Sequence, residues 1–425
     1  MKIRPLPPLL RGWGMVASVD IVLKGIGFLL IPIYAKYMLP EEFGIFSYAG
    51  MISGVACLVF GFGQYAIFTR SETEDDMQRE HVIRGVLANV ALGIGLWWCV
   101  LLLISLFFRA AIFSGKVSVF VWVFLAIQPA IALFTQLLSI DLFLTRRYFL
   151  GAMRALTECI LTHGFGIAAI ILFSERTSDY RLMSCSLSAA IALVFFLPMT
   201  RFWKTLKYLL NHPLSIRLNR EGLWEGMPLS MNGLIGLASG NGDRYLLEKM
   251  ASKQELGIFS FAGNLSNVVI VAFSSFNNIW LGIFYQREKT NAWRVKKTIL
   301  VGLGWVGIAG LSILFFEIVF MFMKGWLDKY QHARNLIPFL GIAVGFQVLG
   351  QLVNNFFNLW KKNKYTTPIN LLSGIASISL GLYLIPKWGA VGAAIQAVFT
   401  SAISFIMILA TSIWVSSKIR NRSDV

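Results

Sequence analysis

The sequence predicts an all-α integral membrane protein of about twelve transmembrane helices, built as two six-helix lobes, and three observations predict it. Of the 425 residues, 56% are hydrophobic and only 14% are charged, where soluble domains carry about a quarter charged residues. The apolar runs repeatedly reach the ~20 residues that cross a bilayer core as a helix. They are continuous, whereas the strands of a membrane β-barrel would alternate apolar and polar side chains. Finally, Gly44-Ile45-Phe46-Ser47-Tyr48-Ala49-Gly50 returns almost unchanged as Gly257-Ile258-Phe259-Ser260-Phe261-Ala262-Gly263, 213 positions on, which is half the chain. One half is built twice.

The expected spans follow in order. Span 1 (13–35) is too long for a signal-peptide core, has no cleavage pattern after it and is expected to be retained. It carries Asp20 and Lys24, and Pro32 is expected to bend it. Span 2 (43–66) holds the first copy of the repeat. The acidic run Glu72, Glu74, Asp75, Asp76 and Glu80 then reads as a solvated loop before span 3 (85–108). Span 4 (117–142) opens a second echo, Phe124-Leu125-Ala126-Ile127 with Phe339-Leu340-Gly341-Ile342, 215 positions on. In the same register Gln136-Leu137 meets Gln351-Leu352, and Arg146-Arg147 meets Lys361-Lys362. Span 5 (157–174) is short and holds Glu158 and His163; span 6 (182–203) closes the first half. The polar connection 204–226, with the turn-forming Asn211-His212-Pro213, divides the chain. Span 7 (227–247) is rich in small and polar residues, among them Asn232, Gly233, Gly236, Ser239, Gly240, Asn241 and Gly242, which suit close packing or local unwinding at a site. Span 8 (257–283) holds the second repeat copy, span 9 (298–323) contains Glu317, and span 10 (336–359) ends near Lys361-Lys362. Spans 11 (368–386) and 12 (391–416) complete the set.

The expected domains are therefore an N-terminal lobe 1–203, a cytoplasmic connection 204–226 and a C-terminal lobe 227–425. Six spans separate the copies, an even number, so the repeat is parallel and related by an axis along the membrane normal. With both termini cytoplasmic, basic residues favour the inner side by roughly two to one. The net charge of +17 then reads as an orientation signal, because the basic residues form no stripe or nucleic-acid-binding motif. Cys57, Cys99, Cys159 and Cys185 form no CxxC pair and read as free apolar fillers. No Walker loop, G-x-S-x-G or H-E-x-x-H is present. No catalytic residue, metal or cofactor is expected.

Several polar residues have more than one reading. Lys24 lies about 16 Å into its helix, where a charge costs roughly 2.5–3.5 kcal/mol. Asp20 sits one turn earlier on the same face, acid first, the favourable order. The pair either presents a cation to an anionic ligand in a central cleft or neutralises itself in packing. Arg244, beside Asp243 and close to Asn241, either meets phosphate or snorkels to the outer surface. Glu158, His163 and Glu317 are candidates for ion coupling, with buried pairing as the alternative and Lys324 the expected partner of Glu317. Arg146, Arg147, Arg154, Lys361 and Lys362 either anchor the inner surface or form a funnel for phosphate headgroups.

The run Tyr34-Ala35-Lys36-Tyr37-Met38-Leu39-Pro40-Glu41-Glu42-Phe43-Gly44-Ile45-Phe46-Ser47-Tyr48-Ala49 resembles the helix 1–2 signature of Wzx-type bacterial polysaccharide flippases, the O-antigen exporters. Lys24 to Pro32, Asp243-Arg244-Tyr245 and Glu255-Leu256-Gly257-Ile258-Phe259-Ser260 fit the same pattern. The resemblance implies the multidrug/oligosaccharidyl-lipid/polysaccharide (MOP) exporter superfamily, with two six-helix lobes about a cleft that is cationic in the flippases. It implies a multi-pass protein of the bacterial inner membrane that carries undecaprenyl-diphosphate-linked oligosaccharide to the outer leaflet by alternating access. Such an exporter would work with membrane lipids and with the polymerase and chain-length proteins of its pathway, and H⁺ or Na⁺ coupling occurs in some members. Lys24 and Arg244 are then the residues to meet the pyrophosphate. A MATE-like multidrug/cation antiporter is the first alternative, although its site would favour acidic and aromatic residues. A membrane glycan polymerase or acyltransferase would usually show a long outer loop bearing Arg or His, which is absent here.

Overall fold

The computed structural model describes residues 19, 22, 23, 25–71, 76–108, 112, 113, 117–173, 177–211, 218–285, 291–360, 362 and 365–423. Among them there is no strand. The helices are α1 (Ile31–Tyr37), α2 (Pro40–Phe60), α3 (Gln64–Arg70), α4 (Asp76–Phe107), α5 (Val119–Leu144), α6 (Tyr148–Leu172) and α7 (Thr177–Phe196), then α8 (Phe202–Asn211), α9 (Arg220–Met250), α10 (Lys253–Phe284), α11 (Asn291–Phe322), α12 (Gln331–Arg334), α13 (Ile337–Leu359) and α14 (Thr366–Ser423). Nine of the described helices are long and apolar enough to cross a membrane: α2, α4, α5, α6, α7, α10, α11, α13 and α14. The protein is an all-α, multi-pass membrane protein.

Local sequence explains where these helices depart from the expected spans. Span 2 stops early because Phe62 (φ 47°) and Gly63 (φ 62°) turn left-handed and start α3. The turn is shaped by Gly226, where an added Cβ would overlap the Phe62 carbonyl oxygen. Span 5 begins at Tyr148 rather than 157, since Arg154 and Glu158 pair at i,i+4 (2.6 Å) inside the helix instead of ending it. Span 7 begins at Arg220, with Asn219 accepting from the Gly222 amide (2.9 Å) as an N-cap and Pro228 taken into the helix. Spans 11 and 12 run together as α14 across a bend at Gly389 (φ 52°, ψ −129°). Glu255 holds that bend by accepting from the Ala390 amide.

The chain forms two compact units, residues 1–30 with 46–234 and residues 31–45 with 235–425. The connection 204–226 thus belongs to the first unit, and the second division falls inside α9.

The first unit packs Val86, Leu87 and Val90 of α4 against Leu137, Leu138 and Leu142 of α5. A buried polar knot joins α9 to this core. Gln64 donates to the carbonyls of Phe62 (3.1 Å) and Gly222 (3.0 Å). Asn89 donates to Gln64 Oε1 and to the Asn219 carbonyl (both 3.0 Å), and accepts from the Asn219 amide (3.2 Å). Asn89→Leu strands these groups without partners, so it is expected to destabilise the protein by about 1–3 kcal/mol. A lowered Tm in detergent would register this, and an unchanged Tm would contradict it.

The second unit has an aromatic core in which Phe273, Trp280 and Phe284 of α10 meet Phe356 of α13. It also takes in residues 31–45, which come from the other half of the sequence, and the repeated glycine explains how. A Cβ on Gly44 would sit 2.5 Å from the Lys253 carbonyl oxygen and 3.0 Å from the Gly257 nitrogen. A Cβ on Gly257 would overlap the Pro40 carbonyl oxygen. The starts of α2 and α10 therefore touch backbone to backbone at equivalent points of the two repeats. Around this contact Phe43 packs edge-on against Phe261 (5.8 Å) and Tyr330 (6.1 Å). Tyr330 donates to the Met38 carbonyl (3.4 Å), Lys329 donates to the Lys36 carbonyl (3.2 Å), and Lys36 lies over the Trp326 ring (4.5 Å).

The second echo also has a local cause. The Arg147 amide bonds the Leu142 carbonyl (2.8 Å), and 215 positions on the Lys362 amide bonds the Phe357 carbonyl (2.8 Å). Both are the six-to-one closure of a Schellman helix end. In the first copy Arg146 takes the left-handed position (φ 56°). Basic side chains at a helix C-terminus also complement its dipole.

Candidate functional site

In the first unit, polar residues gather on α6 and α7. α6 is the least covered of the nine candidate spans, with 11% of its apolar window buried. It nevertheless carries the Arg154–Glu158 pair and His163. Charged groups on a membrane helix with so little protein around them call for water or a ligand. Arg181 of α7 is buried, because Gly166 leaves room for its guanidinium. It donates to the Thr162 carbonyl (2.7 Å), approaches His163 Nδ1 (3.4 Å) and lies over the Phe46 ring (5.5 Å). Guanidinium only donates, so Nδ1 accepts and a neutral ring carries its proton on Nε2. That nitrogen faces span 1, where a Cβ on Gly27 would lie 3.8 Å away. Arg154, Arg181 and His163 are basic types, and Glu158 is the acid paired with the first of them.

Arg154 also lines a groove of about 230 Å³, with Leu23, Leu142, Phe143, Tyr148 and Ala155 among others. The α5–α6 turn beside it exposes Arg146 and Arg147, and Arg147 donates to the Met199 carbonyl (2.5 Å). Close by, Arg201 donates through its amide (2.9 Å) and Nε (3.3 Å) to the buried carboxylate of Asp141.

The second unit holds a separate cavity of about 100 Å³ between α9, α10, α13 and α14. Asp243 and Arg244 line it with Ser266, Gln347, Gln396 and Thr400. Gln396 donates to Ser377 (2.8 Å) and Gln347 to Ser401 (3.2 Å). Ser266 Oγ, Gln396 Oε1 and Thr400 Oγ1 are buried without a hydrogen-bond partner. Buried polar oxygens are normally paired, so the three unsatisfied oxygens beside the Asp243–Arg244 pair mark a polar cavity with room for a proton, a water or a small ion. The cavity falls below the ~300 Å³ at which organic-ligand pockets begin.

The remaining candidates are dispersed. Glu317 pairs with Arg334 (2.6 Å), not with Lys324. Lys362 is half-buried after α13, and Asn241 is half-buried in α9. Asp20, Lys24 and Lys361 lie outside the described residues. Sequence reasoning missed Arg181, which reads as a loop residue until Gly166 is placed beside it. It missed Asp141 too, whose partner is 60 residues away. The cavity oxygens were missed because Ser266 and the Gln396–Thr400 pair lie on spans distant from one another in sequence.

Residues 9–281 match the family described as "Polysaccharide biosynthesis protein". The chain belongs to that family. Its fold is similar to the solved structure titled "Lipid II flippase MurJ, inward closed conformation", with a TM-score of 0.65 at 12% identity over 94% of this chain and 87% of that one. It is also similar to "Inward-facing conformation of a multidrug resistance MATE family transporter of the MOP superfamily", with a TM-score of 0.64 at 13% identity over 96% and 99%. No curated protein matches the chain by sequence. This member of the polysaccharide biosynthesis family therefore shares the all-α fold of those two structures.

Proposed function

We propose that the protein is a flippase, not an enzyme. It carries undecaprenyl-diphosphate-linked oligosaccharide across the bacterial inner membrane by alternating access, for O-antigen or another surface polysaccharide. Family membership over residues 9–281 carries this reading. The basic cluster on the poorly covered α6 supports it, since a diphosphate is anionic and arginine binds phosphate oxygens bidentately. In this account Lys24, Arg154 and Arg181 attract the diphosphate, and Arg146 and Arg147 draw headgroups to the inner surface. Proteoliposomes loaded with a fluorescent lipid-linked oligosaccharide test it directly. Translocation that depends on the protein is expected, and equal leaflet distribution with and without protein would sink the proposal.

We further propose that the cavity at Asp243 takes the coupling ion, H⁺ or Na⁺, because its unpaired oxygens suit a small cation and its volume does not suit the cargo. Asp243→Asn is then expected to flip cargo down its gradient but to lose acceleration by an imposed ion gradient. Separate H⁺ and Na⁺ gradients in the same vesicles identify the ion. Unchanged acceleration in the variant would remove Asp243 from coupling.

A further inference from the structure

We infer that the groove between span 1, α5 and α6 seats the first isoprene units of the carrier, those next to its phosphate, with Arg154 at that charged end. This inference rests on the lipid-linked reading of the cargo and adds a tail site to it. Leu23, Leu142, Phe143 and Ala155 supply apolar walls along a groove of about 230 Å³. A polyprenyl phosphate is a single methyl-branched chain, apolar along its length and charged only at its phosphate end. Most of the groove's lining is apolar, and Arg154 is the one charged residue among the described residues that line it. Its cation is Arg154, whose Nη1 pairs with Glu158 while its buried Nε has no partner. A buried donor left open is costly, and a phosphate oxygen at that end would satisfy it with a charge-assisted bond. Arg146 and Arg147 add positive charge at the adjoining turn. Arg146 and Arg147 thus give the turn beside the neutral Arg154–Glu158 pair a net positive charge that favours an anionic lipid, and a groove lined from two neighbouring helices and span 1 fits one chain better than the paired chains of a phospholipid.

Two substitutions separate the parts of this site. Ala155→Phe fills the groove without touching Arg154, and Arg154→Gln removes the cation while leaving the groove open. The probes are undecaprenyl phosphate and dioleoyl-phosphatidylglycerol, added to the purified full-length protein and read by native mass spectrometry. The wild type is expected to retain undecaprenyl phosphate over phosphatidylglycerol. Ala155→Phe is expected to lower that retention at least about tenfold, or ~1.4 kcal/mol, and Arg154→Gln to abolish the preference for the phosphate-bearing chain. Equal retention by Ala155→Phe at an unchanged Tm would overturn the inference, as would equal retention of the two lipids by the wild type. Either failure leaves the flippase reading standing if the wild type still translocates lipid-linked oligosaccharide in vesicles. Loss of translocation with intact, groove-dependent binding would instead overturn that reading alone.

Discussion

Replacing Gly257 with leucine is expected to give a membrane-inserted protein that exports no glycan. At this position α10 meets the start of α2 with no space for a side chain, and the Pro40 carbonyl would be displaced. Gly44 is the matching surface, 2.5 Å from the Lys253 carbonyl to a built Cβ. Gly257→Ala is the graded version. Overpacking of this size costs about 1–3 kcal/mol, which lowers the population making the contact by about 5–150-fold. The matching control is Gly50→Ala, in the same repeat, where an added Cβ meets nothing within 4 Å. It should export normally. Surface polysaccharide, measured against the amount of protein in the membrane fraction, reads all three variants. Wild-type export by Gly257→Leu would show that the contact between the repeats is dispensable.

The second large effect is expected at Lys24. Lys24→Ala should abolish surface glycan with expression intact, and Lys24→Arg should be milder because charge is kept. A charge in mid-span costs roughly 2.5–3.5 kcal/mol, so its retention calls for an interaction of similar size. Arg244, the other cation first considered for the diphosphate, lines the cavity at Asp243 in the second unit. In the proposed mechanism Lys24 is then the basic residue of span 1 that meets the diphosphate. Full activity of the alanine variant at normal protein level would take Lys24 out of the mechanism.

Much of the fold was legible because a bilayer imposes its thickness on the chain. Uninterrupted apolar runs place α4, α5, α10, α11 and α13 within a few residues of expectation at one or both ends. The repeat was legible as letters, but its reason was not. Only the structure reveals that Gly44 and Gly257 face one another, and that Arg147 and Lys362 close the same helix-end hydrogen bond. The start of α6 was misplaced because Arg154 interrupts the apolar run, and a run alone does not reveal that Glu158 neutralises it one turn on. The polar sites were harder still. Arg181 finds room only beside Gly166, across a helical hairpin. The oxygens around Asp243 are contributed by α10, α13 and α14, from distant parts of the chain. Single Ser, Thr and Gln residues in apolar spans look alike whether they pack or bind, until their partners are counted.

The central claim is best tested by extracting lipid-linked glycans from a strain lacking this protein, with surface polysaccharide measured alongside. A flippase predicts completed repeat units accumulating on the undecaprenyl carrier at the inner leaflet, surface glycan lost, and both restored by the wild-type chain. Unchanged glycans with altered drug sensitivity would contradict it and favour a multidrug exporter. Unpolymerised units already at the outer leaflet would contradict it in favour of a polymerase.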